Sequence, residues 1–282
     1  MKDIILKLEN EHFLSDDEFK LLIEDESEET LKLLAERADK VRRKVYGTDI
    51  YLRGLIEFTN YCKNDCYYCG IRRSNSDAER YRLTDEQIYD CCKIGYELGF
   101  RTFVLQGGED GCFTDDKLVE IIKTIKQNYP DCALTLSIGE KSYESYKRYF
   151  DAGADRYLLR HETANSSHYG KLHPKNLSLE NRKKCLYNLK EIGYQVGCGF
   201  MVGSPFQTTE SIIDDLKFIR DFNPHMVGIG PFVPHKSTPF KEYEQGSLHL
   251  TLKLLSVIRL ILPNVLLPST TALGTIHPLG RE

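Results

Sequence analysis

The sequence predicts an α/β fold, a (β/α) barrel of parallel strands wrapped in helices and preceded by N-terminal helices. Three observations predict it. From residue 49 onward, short β-rich runs alternate with amphipathic helical stretches, the pattern of a parallel sheet with helices outside. The runs are nearly uniform in their apolar character, as strands covered on both faces must be. With 282 residues, the chain is long enough for one barrel of about 250 residues as a single domain.

Residues 1–48 read as a helical extension and 49–282 as the barrel. In the extension, Ser15-x-x-Glu18 forms a capping box, and Leu31, Leu34, Ala35, Ala38 and Val41 recur at helical spacing before a stop at Gly47. Strands are expected at 51–58, 102–106, 133–138, 156–160, 194–202, 226–233 and 264–269. Between them, Thr84-x-x-Gln87 opens a helix that Gly99 closes, and Thr114 opens one carrying Leu118, Ile121, Ile122 and Ile125. Further helices fit 141–151, 178–192, 208–221 and 247–262, with starts at Ser178 and Thr208 and stops at Gly153, Gly193 and Pro263. Seven strands are one short of a complete eight-unit barrel. The barrel is therefore expected to be truncated after its seventh strand, with the closing strand and helices beyond Glu282 and the chain a fragment of a longer protein.

Composition narrows the function classes. A net charge of -4 and a pI of about 6.1 argue against a nucleic-acid partner held by bulk charge. The start, Met1-Lys2-Asp3-Ile4-Ile5, has no signal-peptide core, and the apolar stretch Leu254–Leu267 is interrupted by Arg259, Pro263 and Asn264. A cytoplasmic protein without membrane attachment is expected. Nine cysteines then read as free thiols or metal ligands and not as a disulfide framework. Cys91, Cys92 and Cys185 fall on apolar helix faces, as small core residues do.

Three cysteines stand apart. Cys62-x3-Cys66-x2-Cys69 follows directly on the first strand, Leu52–Phe58. Soft thiolates on so short a loop suit an iron-sulfur cluster or zinc. Zinc would want a fourth ligand, and no His or further Cys lies nearby before Cys91. A 4Fe-4S cluster held by three cysteines keeps one iron open for a small-molecule ligand, which points to chemistry and not to electron storage.

Functional groups of parallel barrels lie at the carboxyl ends of the strands. The second strand ends at Gln106-Gly107-Gly108-Glu109-Asp110, where two glycines let backbone approach a ligand, or simply turn. The third ends at Ser137-Ile138-Gly139-Glu140, and the fourth at the ionisable cluster Arg160-His161-Glu162-Thr163, which also fits an ordinary polar strand end. The fifth ends at 198–205, with Met201 otherwise a core residue, and the sixth at 228–235. The seventh ends at Thr270-Thr271, whose hydroxyls suit an anion or a local cap.

With Tyr68 in the aromatic slot, Cys62-x3-Cys66-x-Tyr68-Cys69 resembles the cluster loop of the radical S-adenosylmethionine (SAM) superfamily. The resemblance implies a TIM-type barrel, with a 4Fe-4S cluster on Cys62, Cys66 and Cys69 and SAM bound at its open iron. Reductive cleavage of SAM would give methionine and a 5′-deoxyadenosyl radical. It implies SAM contacts from Tyr68, from Gly107, Gly108 and Glu109 through the Gly-Gly-Glu motif, and from Ser137, Glu162 and Met201. Arg182 would meet the SAM carboxylate as a bidentate fork.

Longer strings, 154–165, 226–235 and 270–275, resemble the HydE-type maturases of FeFe-hydrogenase, in the biotin synthase-like group. That resemblance implies maturation of the hydrogenase's di-iron subcluster from a small organometallic or amino-acid-derived substrate, with Arg160, Thr270 and Thr271 lining the substrate cavity. It implies no side-chain acid or base, an electron donor of ferredoxin or flavodoxin type, and docking to sister maturases. Related alternatives are 3-methylornithine synthase and biotin synthase. The latter is disfavoured because Cys132 and Cys198 are too few for a second cluster. An alternative of another class is an inactive cluster-binding or interaction fragment with an open barrel edge.

Overall fold

The computed structural model describes residues 1–281. Glu282, where the expected barrel unit ends, lies outside the described residues.

The extension forms α1 (Lys2–Glu11), α2 (Asp16–Glu24) and α3 (Glu28–Tyr46). Ser15 caps α2 in a complete box: its hydroxyl accepts from the Glu18 N–H, and Glu18 accepts from the Ser15 N–H at 2.8 Å. Gly47 ends α3 with φ +62. The apolar faces of these helices join the main core through Ile5, Leu8, Phe19, Leu22 and Leu34, so the extension is packed on the barrel and not appended to it.

Eight short strands follow: β1 (Gly54–Thr59), β2 (Thr102–Gly107), β3 (Ala133–Ser137), β4 (Arg156–Leu158), β5 (Gln195–Cys198), β6 (Met201–Val202), β7 (Met226–Val227) and β8 (Gly230–Pro231). They make a parallel sheet in the order β1-β2-β3-β4-β5-β7 and a small parallel pair, β6-β8. The expected strands 194–202 and 226–233 are each split. Gly199, at φ +152, approaches the next segment so closely that a Cβ would stand 2.0 Å from the Gly228 carbonyl oxygen. That approach turns both segments out of the ladder. The expected strand 264–269 is reduced to one parallel bridge, Leu266 to Met226. Among the described residues β1 has only β2 as a sheet neighbour, and the barrel does not close.

Helices α4 (Asp85–Glu97), α5 (Asp115–Asn128), α6 (Tyr143–Asp151), α8 (Leu179–Ile192), α9 (Thr209–Phe222) and α10 (Leu248–Ile261) occupy the expected places. Thr84, Thr114, Ser142, Ser178, Thr208 and Ser247 each cap one of them through the side chain. Two short helices were not legible: α7 (Ser166–Leu172) and α11 (Thr271–Ile276). Neither is long enough to display a period. On α4, Cys92 is buried as expected but Cys91 is exposed. Adjacent helical residues point about 100° apart, so only one of the pair can face the core.

Candidate active site at the carboxyl ends of the strands

The loop after β1 that carries Cys62, Cys66 and Cys69 is fixed by its own hydrogen bonds. Arg80 donates to four carbonyls on that loop, those of Asn60, Ile71, Arg72 and Asn75. Asp65 accepts from Arg72 Nε at 2.8 Å and from the Ser74 hydroxyl at 2.7 Å. The Lys63 N–H donates to the Glu109 carbonyl, and the Tyr67 N–H to the Leu172 carbonyl, both at 3.0 Å. Three half-buried thiols are thus held on a preformed loop.

The glycine pair at the end of β2 explains how that loop is seated. A Cβ on Gly108 would lie 2.2 Å from the Tyr61 carbonyl oxygen and 2.7 Å from Cys62 Cβ, and one on Gly107 would lie 2.7 Å from Thr59 Cγ2. The sequence left these glycines to ligand approach or to a plain turn; packing of the cysteine loop already demands them. Next to them Asp110 takes a fork from Arg82 at 2.6 and 3.0 Å and the Thr59 hydroxyl at 2.7 Å. Burial opposes its charge, yet these bonds hold its carboxyl below the usual range. Arg82 also stacks over the Tyr61 ring, 3.6 Å from its centroid.

A cavity of about 570 Å³ opens beside the loop. It is lined by Tyr68, Cys69, Gly107, Ser137, Arg160, Glu162 and Arg182, which the sequence singled out, and by Glu57, Asn60, Tyr81 and Gln106, which it did not. Arg160 and Glu162 form an ion pair at 3.0 Å. Its geometry leaves Arg160 Nε and Nη2 and Glu162 Oε2 without a completed hydrogen bond among the described residues. Buried polar atoms in that state favour an incoming polar ligand.

Glu162 sits at φ +65, a left-handed conformation that costs a residue with a side chain about 1–3 kcal/mol. What holds it there is fully buried. The Gly199 N–H donates to His161 Nδ1 at 3.3 Å, so the ring proton is on Nε2, which lies 3.2 Å from Asp215 Oδ1. The Ala164 N–H donates to the same oxygen. Burial pushes His161 well below its ordinary value and Asp215 well above. With the histidine held neutral, the contact is a hydrogen bond and not an ion pair.

Glu109, Met201, Thr270 and Thr271 lie off the cavity wall. Glu109 is buried with both oxygens engaged, by Lys63 Nζ at 3.1 Å and by the Glu140 N–H at 2.9 Å. Met201 packs with Leu172, Phe232 and Phe240 against Tyr67 and Tyr68. Thr270 and Thr271 part company: Thr270 stands at the N-cap of α11 with its buried hydroxyl unpartnered among the described residues, while Thr271 is exposed. Arg182 Nε pairs with Glu140 Oε1 at 2.7 Å. Glu140 was legible only as a strand end, and its role depends on α8 lying alongside.

The comparisons with known proteins decide the family. Residues 56–219 match the family model described as the Radical SAM superfamily. The chain belongs to that superfamily. It is 47% identical to the FeFe hydrogenase maturase subunit HydE of Thermotoga maritima over 245 residues, covering 87% of this chain and 70% of that one. To the 3-methylornithine synthase of Methanosarcina acetivorans it is 32% identical over 273 residues, 95% of this chain and 77% of the relative. The crystal structure of methylornithine synthase, PylB, superposes with a TM-score of 0.89 at 29% identity, covering 99% of this chain and 83% of that one. The expected enzyme class and the α/β fold of the radical SAM family therefore stand.

Radical SAM enzymes use a 4Fe-4S cluster and SAM, and the residues present fit both. Burial pushes the bare Cys66 thiol up to about 12 and Cys69 to about 11, so a cluster held by them would have to supply the charge that makes them thiolates. Among the described residues no three His, Cys, Asp or Glu side chains are placed so that they could hold a single metal ion. The Arg160–Glu162 ion pair, which lines the same cavity as Cys69, offers a polar ligand both charge signs. No helix among the described residues is long and apolar enough to cross a membrane.

Proposed function

We propose that this protein is a HydE-type maturase that reductively cleaves SAM in building the di-iron subcluster of FeFe-hydrogenase. One observation carries the reading: the three-cysteine loop and the Arg160–Glu162 ion pair open on one cavity, in a chain 47% identical to a HydE. When bound, the cluster supplies the electron that cleaves SAM into methionine and a 5′-deoxyadenosyl radical. Cys62, Cys66 and Cys69 hold it. Arg182, anchored through Nε by Glu140, offers its terminal nitrogens to the SAM carboxylate. Glu162 and Ser137 take the ribose or amino side, and the Gly107–Gly108 backbone supports the methionine end. Glu109 is a brace for Lys63 and Glu140, and its contact with SAM runs through the segment it holds.

Arg160, Thr270 and Thr271 are proposed to receive the carboxylate of a small organometallic or amino-acid-derived substrate. Closure on the substrate excludes water from the radical, and no side chain serves as acid or base. An electron donor of ferredoxin or flavodoxin type and docking to sister maturases complete the proposal. The nine free cysteines support work in the reducing cytoplasm.

Anaerobic reconstitution with iron and sulfide, reduction in the presence of SAM, and assay of 5′-deoxyadenosine test the chemistry. Activation of apo-hydrogenase together with its sister maturases then tests the role. A second reading, 3-methylornithine synthase, is favoured by the fold match over 99% of the chain. Turnover of lysine in the same assay would select it.

A further inference from the structure

Helix α7 ends against the cluster loop at two points. Its Leu172 carbonyl accepts the Tyr67 N–H, and the next residue, His173, lies 3.1 Å through Nε2 from the Tyr68 hydroxyl. The direction of this second bond is determined. His173 Nδ1 lies 3.0 Å from the Tyr169 carbonyl, an acceptor only, so the ring proton is on Nδ1 and Nε2 accepts from Tyr68. The ring cannot drift: it is buried and stacks on Tyr169 with centroids 3.9 Å apart at 19°, and it meets the Tyr68 ring edge-on at 5.3 Å. Tyr169 in turn packs by its hydroxyl end near the Arg182 guanidinium, without a completed hydrogen bond. At its other end α7 is fastened by His168, whose Nε2 lies 3.0 Å from the Pro205 carbonyl.

We infer that His173 is a positioning residue: it fixes the ring of Tyr68, between two cluster cysteines, relative to Arg182, and so sets the geometry in which SAM is received. The inference rests on the SAM reading above. It assigns a purpose to α7 and to a buried histidine that the chemistry does not otherwise use. A plain core histidine in this place would also pack, but it would not matter to SAM whether Tyr68 carries its hydroxyl.

The test is a double-mutant cycle on the reconstituted, cluster-loaded protein with Tyr68→Phe, His173→Leu and both together. It reads SAM affinity and the change that SAM causes in the EPR signal of the reduced cluster, with iron content as control. Each single substitution is expected to weaken SAM binding about two- to tenfold, the net worth of one hydrogen bond, with iron content unchanged. The double variant is expected to be no worse than the weaker single. Tyr68→Phe removes one oxygen atom and keeps the test alive where His173→Leu fails to fold. Unchanged SAM affinity and EPR response in Tyr68→Phe, or additive losses in the double variant, would overturn the inference. Wild-type protein that holds its cluster but shows no response to SAM would instead overturn the reading beneath it, and the brace along with it.

Discussion

The first half of the sheet and the second half are built on different terms. Strands β1, β2 and β3 run for five or six residues, with continuous register between β2 and β3 from Thr102–Ala133 to Gln106–Ser137. Beyond β4 the ladder breaks into pieces, with two-residue strands at β6, β7 and β8. In the first half a long regular platform presents the cysteine loop, and glycines are needed where the loop sits on it. In the second half the breaks themselves are the device: Gly199 folds its segment against Gly228 and receives Glu162 in its left-handed conformation through the Glu162 N–H, at 3.0 Å. Regular strands position the cysteine loop, whereas irregular ones turn side chains of neighbouring segments into a shared cavity.

The largest effect that separates the halves is loss of the cluster itself. Replacing Cys62, Cys66 or Cys69 by Ala is expected to abolish bound iron and sulfide and 5′-deoxyadenosine formation together, while circular dichroism stays native, since the loop has its own hydrogen-bond frame. SAM cleavage surviving in any of the three would refute the assignment. Next come Gly108→Ala and Gly199→Ala, each with a Cβ within 2.2 Å of a backbone oxygen. Each is expected to cost about 3 kcal/mol by overpacking, measured by chemical denaturation. Gly108→Ala should also lower the iron content, and Gly199→Ala should spare iron but weaken SAM binding. The reverse pattern would erase the comparison drawn above.

A pH titration sharpens it further. Burial holds His173 down to about 4, below the ordinary 6.5 or so. A histidine lowered in the folded state contributes fully above its unfolded value and loses that contribution as pH falls toward the folded one. Cluster-free protein should therefore lose up to about 3 kcal/mol from this group between pH 6.5 and 4, seen as a falling melting temperature. His173→Gln should make that limb shallower, the rest of its slope coming from other buried histidines such as His161. Identical slopes in the two proteins would assign the acid sensitivity elsewhere. The smallest effect is expected at Cys91, which is exposed: Cys91→Ser should leave melting temperature, iron content and SAM cleavage within error of wild type.

The sequence by itself determined the alternation, most helix boundaries, the three-cysteine loop and the strand ends that line the cavity, because each is a local matter. Caps such as Thr84 and Thr208 satisfy backbone groups within one turn, apolar periods record a buried face, and three thiols on an eight-residue loop need no partner from afar. Only the tertiary structure decided that Glu109 is spent on Lys63 and Glu140, that Arg182 leans on Glu140, that Thr270 and Thr271 diverge, and that Cys91 faces solvent. It alone brought His173 to Tyr68, 105 positions away, and His161 to Asp215, 54 positions away. Such pairs leave no period or spacing in the chain. They are set by which helix the sheet's twist and the glycine-permitted contacts bring alongside.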